Sequence, residues 1–306
     1  MRVLPPLLVC LLPLAACQPA PRVAARPAVA AAPSETIPAC PANATVMDGW
    51  DERAPPRRIF GNTFYIGTCG ITSILIAGNQ GVIVIDGATE KAAVPIEANI
   101  RALGFKLGDV RYLLNTHEHS DHAGGLAQLQ RDTGAPLLAR AVAATTLRSG
   151  KGNPDDPQFE DMHPYPPVAD VRVIADGHVV QLGDLHLTAH ATPGHAPGGT
   201  SWTWRSCEGT HCVDIVYADS FSTPTDAHHR RSDDPAAIAA FRRSLDLVAS
   251  LPCDILLTPH PLRSNLPARL GGQAPLINPN ACKAYAEEGR AGLDARIAEE
   301  QRGKSP

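Results

Sequence analysis

A chain of 306 residues is long enough for one large domain or two smaller ones. Its hydrophobic fraction of 44% and charged fraction of 19% are those of an ordinary globular protein. A formal net charge of −4, with no Lys/Arg run and no basic amphipathic helix, argues against nucleic acid and against an anionic membrane surface as partners.

The first 17 residues have Arg2, then an apolar stretch over 4–14, then small residues, and read as an export segment. The apolar stretch is shorter than the ~20 residues a bilayer span needs. Leu14-Ala15-Ala16-Cys17 resembles the bacterial lipobox, which predicts a lipid anchor at Cys17. With Gln18 next, it predicts a location on the outer membrane facing the periplasm. The competing expectation is an ordinary cleaved signal, cut at a downstream alanine. Residues 18–39 are dominated by Ala and Pro and read as a tether, leaving a single folded domain over 40–306. Eight cysteines in an exported chain suggest disulfides. Cys10 and Cys17 belong to the leader, and the other six allow 15 pairings. Cys207 and Cys212 enclose only Glu-Gly-Thr-His between two strand-like runs, so a local bridge is reasonable. There is no C-x-x-C pair to support a cysteine zinc site.

Within the domain, residues 63–67, 71–77 and 81–86 are short strand-like runs rich in Ile and Val. A helix is predicted over about 91–103, a strand over 111–115, a helix over about 123–132, a strand over 136–139 and a helix over 142–148. Residues 150–170 form a Pro- and Asp-bearing loop, long enough to suggest a role at a binding site. Strands follow over 179–182, 185–191, 200–204 and 213–218. A helix then carries Ile238, Phe241, Leu245 and Val248 on one face, followed by a strand over 254–258 and a helix over about 280–299. Two halves of this kind predict two sheets packed face to face with helices outside.

The chemistry is concentrated in Asn115-Thr116-His117-Glu118-His119-Ser120-Asp121-His122, at a strand-to-helix junction. Three imidazoles and two carboxylates in so short a stretch would need hydration or costly pairing unless a divalent cation took them. His117 and His119 point the same way in an extended chain, while Asp121 and His122 follow the turn, so the spacing suggests two ions. His195, in Thr192-Pro193-Gly194-His195, and His260, in Thr258-Pro259-His260-Pro261, each end a predicted strand and offer further ligands.

These motifs, with Tyr217-Ala218-Asp219-Ser220 between the last two, resemble the metallo-β-lactamase superfamily. Gly61-Asn62-Thr63, Gly67-Thr68-Cys69-Gly70, Pro197-Gly198-Gly199-Thr200-Ser201-Trp202-Thr203-Trp204 and Cys253-Asp254-Ile255-Leu256-Leu257 are similar to its subclass B3. The resemblance implies an αββα sandwich of two mixed sheets with helices on the outer faces. It implies two zinc ions, the first on His117, His119 and His195, the second on Asp121, His122 and His260. A hydroxide shared by the zincs and oriented by Asp121 would attack the β-lactam carbonyl of penicillins, cephalosporins and carbapenems. It also implies disulfides Cys40–Cys69, Cys207–Cys212 and Cys253–Cys282. In the same register Ser220 and Thr223 face the substrate carboxylate, while Asp219 helps hold its loop in shape. Gln158 and Phe159 are candidate substrate contacts from the 150–170 loop. A monomer is expected.

Other residues have structural readings. His186 and His190 alternate with apolar residues and belong on a strand's polar face; His228 and His229 sit in a charged loop. Trp202 and Trp204 read as packing, and Asp86 as a support for the metal loop. The competing functions are a lactonase or glyoxalase-type thioesterase of the same superfamily, or a zinc-binding protein that has lost catalysis. Those two hydrolase families place a metal-bridging Asp near Asp219, so the position of that carboxylate separates the readings.

Overall fold

Runs of β-branched residues separated by glycine turns build the first sheet. It comprises β1 (Arg57–Phe60), β2 (Thr63–Tyr65), β3 (Ile74–Gly78), β4 (Gly81–Ile85), β5 (Val110–Leu114), β6 (Leu137–Arg140) and β7 (Val171–Ile174), in that spatial order. Neighbours from β1 to β4 are antiparallel, and the β4–β5, β5–β6 and β6–β7 pairs are parallel. The parallel pairs need crossovers, which α1 (Ala93–Ala102), α2 (Ser120–Ala123), α3 (Leu126–Thr133) and α4 (Ala141–Ser149) supply. This computed structural model describes residues 1, 39–41 and 43–303. The export segment, Cys17 and all but the end of the tether lie outside the described residues.

The second sheet has the order β12-β11-β10-β9-β8, built from β8 (Val179–Leu182), β9 (Leu185–Ala191), β10 (Thr200–Glu208), β11 (His211–Tyr217) and β12 (Ile255–Leu257). Only the β11–β12 pair is parallel. Its crossover contains α5 (Pro235–Ser250); α6 (Leu266–Leu270) and α7 (Ala281–Gln301) follow. Asp234 caps α5 by accepting from the Ala237 amide at 2.8 Å, and Pro235 opens the helix.

Strand alternation sorts side chains into layers. On β4, Val82 and Val84 pack outward with Ile96, Ile100 and Leu126 of the helices. Ile83 and Ile85 point the other way, toward Trp202, Ile215 and Tyr217 of the second sheet. On the second sheet Val216 and Leu256 face Phe241, Leu245 and Val248 of α5. The order is therefore helix, sheet, sheet, helix, as expected. Trp202 is fully buried and its indole N–H donates to the Asn115 carbonyl at 2.9 Å; that of Trp204 donates to Thr63 Oγ1 at 3.0 Å. Both are packing residues.

Four strands differ from expectation. The strand predicted from residue 71 begins only at Ile74, because the preceding residues turn: Thr68 N donates to Ile71 O at 2.9 Å. Thr72 N instead bonds the Pro259 carbonyl, at 2.7 Å, beside His260. Strands β1 and β7 were not foreseen; both are four-residue edge strands with two exposed positions each, so no apolar run marks them. Strand β10 runs on to Glu208, where Cys207 sits directly opposite Cys212. The structure contains the bridges Cys40–Cys69, Cys207–Cys212 and Cys253–Cys282. Among the described residues no helix is long and apolar enough to cross a membrane.

Candidate metal centre and active site

The C-terminal ends of β4, β5, β9, β11 and β12 converge at one edge of the sandwich, bringing with them Asp86, His117, His195, Asp219 and His260. Asp86 has a positive φ of 66° and is fully buried. One oxygen accepts from the Thr116 amide at 2.7 Å; the other accepts from Thr116 Oγ1 at 2.9 Å and from the Tyr217 hydroxyl at 2.7 Å. Burial pushes its pKa up to about 6, against the opposing pull of His122 and these donors. This strained residue fixes where the histidine loop leaves β5. His119 is still extended (φ −70°, ψ 151°) and α2 starts at Ser120, so the loop splits into two pairs of donors as its spacing suggests.

The Pro-Gly-Gly segment packs against this loop from the second sheet. A Cβ on Gly198 would lie 2.3 Å from Glu118 Oε2, and one on Gly199 would lie 2.4 Å from Asp219 Oδ2. Only glycine permits so close an approach. In exchange the Gly198 amide donates to Glu118 Oε1 at 2.8 Å.

Donor atoms of His117, His119 and His195 lie within 4.8 Å of one another, as do those of His117, Asp121 and His122. The first trio is the one expected. The second is completed by His117 rather than by His260, which approaches the same pair from another side. His260 Nε2 lies 3.4 Å from Asp121 Oδ2, and its ring centroid is 5.0 Å from that of His122. Asp121 Oδ2 is also 3.1 Å from His122 Nε2.

The rings of the first trio are each held from behind. His117 Nδ1 bonds Asp219 Oδ1 at 2.8 Å, and His119 Nε2 bonds Asp156 Oδ2 at 2.9 Å. His195 Nδ1 bonds the Ser222 carbonyl at 3.1 Å. A carboxylate or carbonyl acceptor assigns the proton to the bonded nitrogen. Nε2 of His117 and His195 and Nδ1 of His119 are thereby left as lone-pair donors facing one another. His117 Nε2, both nitrogens of His122 and Nδ1 of His260 are buried without a hydrogen-bond partner.

Titration behaviour agrees with this arrangement. Burial, reinforced by the neighbouring histidines, holds His117 and His195 well below the usual imidazole pKa. For His119 burial acts in the same direction, but Asp156, Asp121 and Glu118 outweigh it and raise the pKa. Burial would raise Asp121, yet His122 and His260 hold it well below the usual carboxylate range. The depressed imidazoles of His117 and His195, buried beside the ionised Asp121, are an expensive arrangement without a cation and a fitting one for zinc.

The cluster opens into a cavity of about 770 Å³. Ser220, Thr223 and Gln158 line it, as do Trp50, Arg263 and Tyr285. Gln158 has a buried Nε2 without a partner. Phe159 does not line the cavity but lies against Gly152. His186 is exposed on β9, and His190 bonds Thr203 Oγ1 at 2.8 Å. His229 Nδ1 bonds Asp226 at 2.9 Å.

Sequence reasoning missed Asp156, Ser222 and the wall formed by residues 46–50. Asp156 lies in the loop already suspected of a binding role, but nothing in the spacing links it to His119. Trp50 stands with its ring centroid 5.7 Å from that of His260 and donates Nε1–H to the Val46 carbonyl at 2.9 Å. The Cys40–Cys69 bridge and the bond from Cys69 N to Glu52 O, 2.8 Å, fasten this segment.

The chain belongs to the metallo-beta-lactamase superfamily, whose pattern matches residues 66–260. Among solved structures it is similar to MIM-1 from Novosphingobium pentaromativorans, described as a metallo-beta-lactamase, at 48% identity and a TM-score of 0.81, covering 85% of this chain and 95% of that one. It is also similar to MEM-A1, a subclass B3 metallo-beta-lactamase from a soil metagenome library, at 43% identity and a TM-score of 0.81, covering 83% of this chain and 100% of that one. A hydroxyacylglutathione hydrolase of Anaeromyxobacter dehalogenans is 29% identical over 60% of this chain and 56% of its own length. The chain thus spans about half the length of the curated relatives it matches.

Proposed function

We propose that this protein is a hydrolase, a zinc-dependent β-lactamase that opens the lactam amide of penicillins, cephalosporins and carbapenems. The observation that carries the reading is the position of Asp219 relative to Ser220. Asp219 Oδ1 bonds Nδ1 of His117, on the side of the ring opposite the donor nitrogen, while Ser220 lines the cavity. A carboxylate so placed is a support for His117, which speaks against the metal-bridging role that a thioesterase or lactonase would require.

In this reading His117, His119 and His195 hold one zinc and Asp121, His122 and His260 a second. Bound zinc supplies a Lewis acid and brings the ionisation of water to about neutral pH. Asp121, kept ionised by its histidine neighbours, accepts a hydrogen bond from the attacking water and orients it. Ser220 and Thr223 donate to the carboxylate of the substrate, and Gln158 offers its unpartnered amide from the opposite loop. The supports behind the imidazoles keep the lone pairs aimed inward before substrate arrives.

Hydrolysis of a chromogenic cephalosporin, abolished by a chelator and restored by zinc, is the test. Turnover of a hydroxyacylglutathione thioester without turnover of the cephalosporin would instead establish the thioesterase reading. His119→Ala should disturb the first site and Asp121→Ala the second, each removing most turnover. The same reading places the enzyme in the periplasm, anchored through Cys17. An intact mass showing an unmodified start beyond residue 17 would remove the anchor from the proposal.

A further inference from the structure

Residue 156 lies 37 positions from His119 in sequence, yet its side chain is fully buried against that ring. Both oxygens of the Asp156 carboxylate have a partner. Oδ2 accepts a hydrogen bond from His119 Nε2 at 2.9 Å, and Oδ1 accepts from the Gln158 backbone N–H at 2.8 Å. The Asp156 backbone closes the turn on both sides, its N–H bonding Asn153 O at 2.9 Å and its carbonyl accepting from Phe159 N at 3.0 Å. A second acid fastens the same turn from outside. Asp226 N donates to Pro157 O at 2.8 Å, and Asp226 Oδ2 accepts from Glu160 N at 2.8 Å. One short segment therefore carries both the clamp on His119 and the cavity-lining residues Gln158, Asp161, Met162 and His163.

We propose that Asp156 is a positioning residue that locks His119 with Nδ1 toward the first metal and couples that metal's affinity to the loop walling the substrate cavity. The inference rests on the reading of His119 as a metal ligand. A neutral imidazole has one proton, and a buried carboxylate on Nε2 keeps it there, leaving Nδ1 as the donor. Because Gln158 hangs from the other oxygen of the same carboxylate, a shift of the loop moves both. Coupling of this kind is reciprocal: whatever orders the loop tightens the metal, and the metal orders the loop.

The test measures zinc binding to the whole protein by competition with a chromophoric chelator, for wild type, Asp156→Asn and Asp156→Ala. Each variant's metal-free circular dichroism and melting temperature are recorded alongside. Asp156→Ala should weaken one of two zinc affinities by about 10–100-fold, with Asp156→Asn at the lower end of that range. The other affinity should stay within about threefold. A variant that melts earlier without metal but binds both zincs within twofold of wild type would show a merely structural role and overturn the proposal. A wild-type protein that binds no zinc would sink the metal reading itself, which keeps the two failures apart. Should neither variant fold, nitrogen NMR of the zinc-loaded wild type decides. The proposal requires the His119 proton on Nε2, and a proton on Nδ1 overturns it.

Discussion

At the scale of single residues, the rings of His117, His119 and His195 each lean on an acceptor brought from a distant part of the chain, Asp219, Asp156 and Ser222. His117, His119, Asp121 and His122 identify themselves, because no other use of so many ionisable groups in one turn avoids a desolvation cost. Asp156 and Ser222 could not be found that way, since an acid in a loop or a backbone carbonyl looks the same whether or not a histidine leans on it. Asp219 was expected to help hold its loop in shape, and its Oδ1 lies 2.8 Å from His117 Nδ1. Asp219→Asn should still bind two zincs at saturation, because the amide oxygen can replace the lost acceptor. Metal analysis after dialysis against zinc checks this. Ser220→Ala should raise KM for a cephalosporin about tenfold, as expected for one hydrogen bond to a charged group, with kcat and zinc content little changed. A fall in kcat with KM constant would assign Ser220 another role.

At the scale of elements the sequence specified most strands and helices, since alternation and helical periodicity are strong signals in buried segments. It failed at β1 and β7, whose half-exposed edge positions carry no such pattern. Disulfides staple several of these elements. Cys253–Cys282 joins the approach to β12 with the first turn of α7 and closes a loop of sequence separation 29, against 5 for Cys207–Cys212. On the chain-entropy relation, replacing both cysteines by serine should cost about 3–4 kcal/mol for the long loop and about 2 kcal/mol for the short one. Denaturant midpoints of the two double variants measure the difference. The Asp226 staple adds a pH dependence. Its hydrogen bond raises the pKa of His229 above the ordinary value. The stability contributed is therefore fully present below the unfolded value of about 6.5 and is lost as pH rises through the raised folded value. A series of melting temperatures from pH 5.5 to about 8 should show this decline in wild type and a flatter profile in His229→Gln.

At the scale of the whole molecule, the donors come from both sheets, so metal occupancy should report on the packing of one sheet against the other. Removing zinc with a chelator should lower the melting temperature, and restoring free zinc to a hundredfold above a site's Kd should return about 2.7 kcal/mol per site. Calorimetry at several free-zinc concentrations tests that scaling. A protein melting at the same temperature with and without chelator would carry its stability in the sandwich alone.

The division of the donors along the chain has a kinetic consequence. Of the six proposed donors four lie together at residues 117–122, while His195 and His260 arrive only when β9 and β12 are in place. An unfolded chain thus already holds a small chelating motif, able to seize zinc in partial and wrong combinations with any other histidine. The complete sets exist only once β12 has paired with β11 across its long crossover. Zinc should accordingly slow unfolding without hastening refolding, and an excess present from the start should retard the return to the native state. Stopped-flow tryptophan fluorescence with zinc added before or after refolding would reveal the asymmetry, and a refolding rate that rose with zinc would place metal capture before the sheets meet.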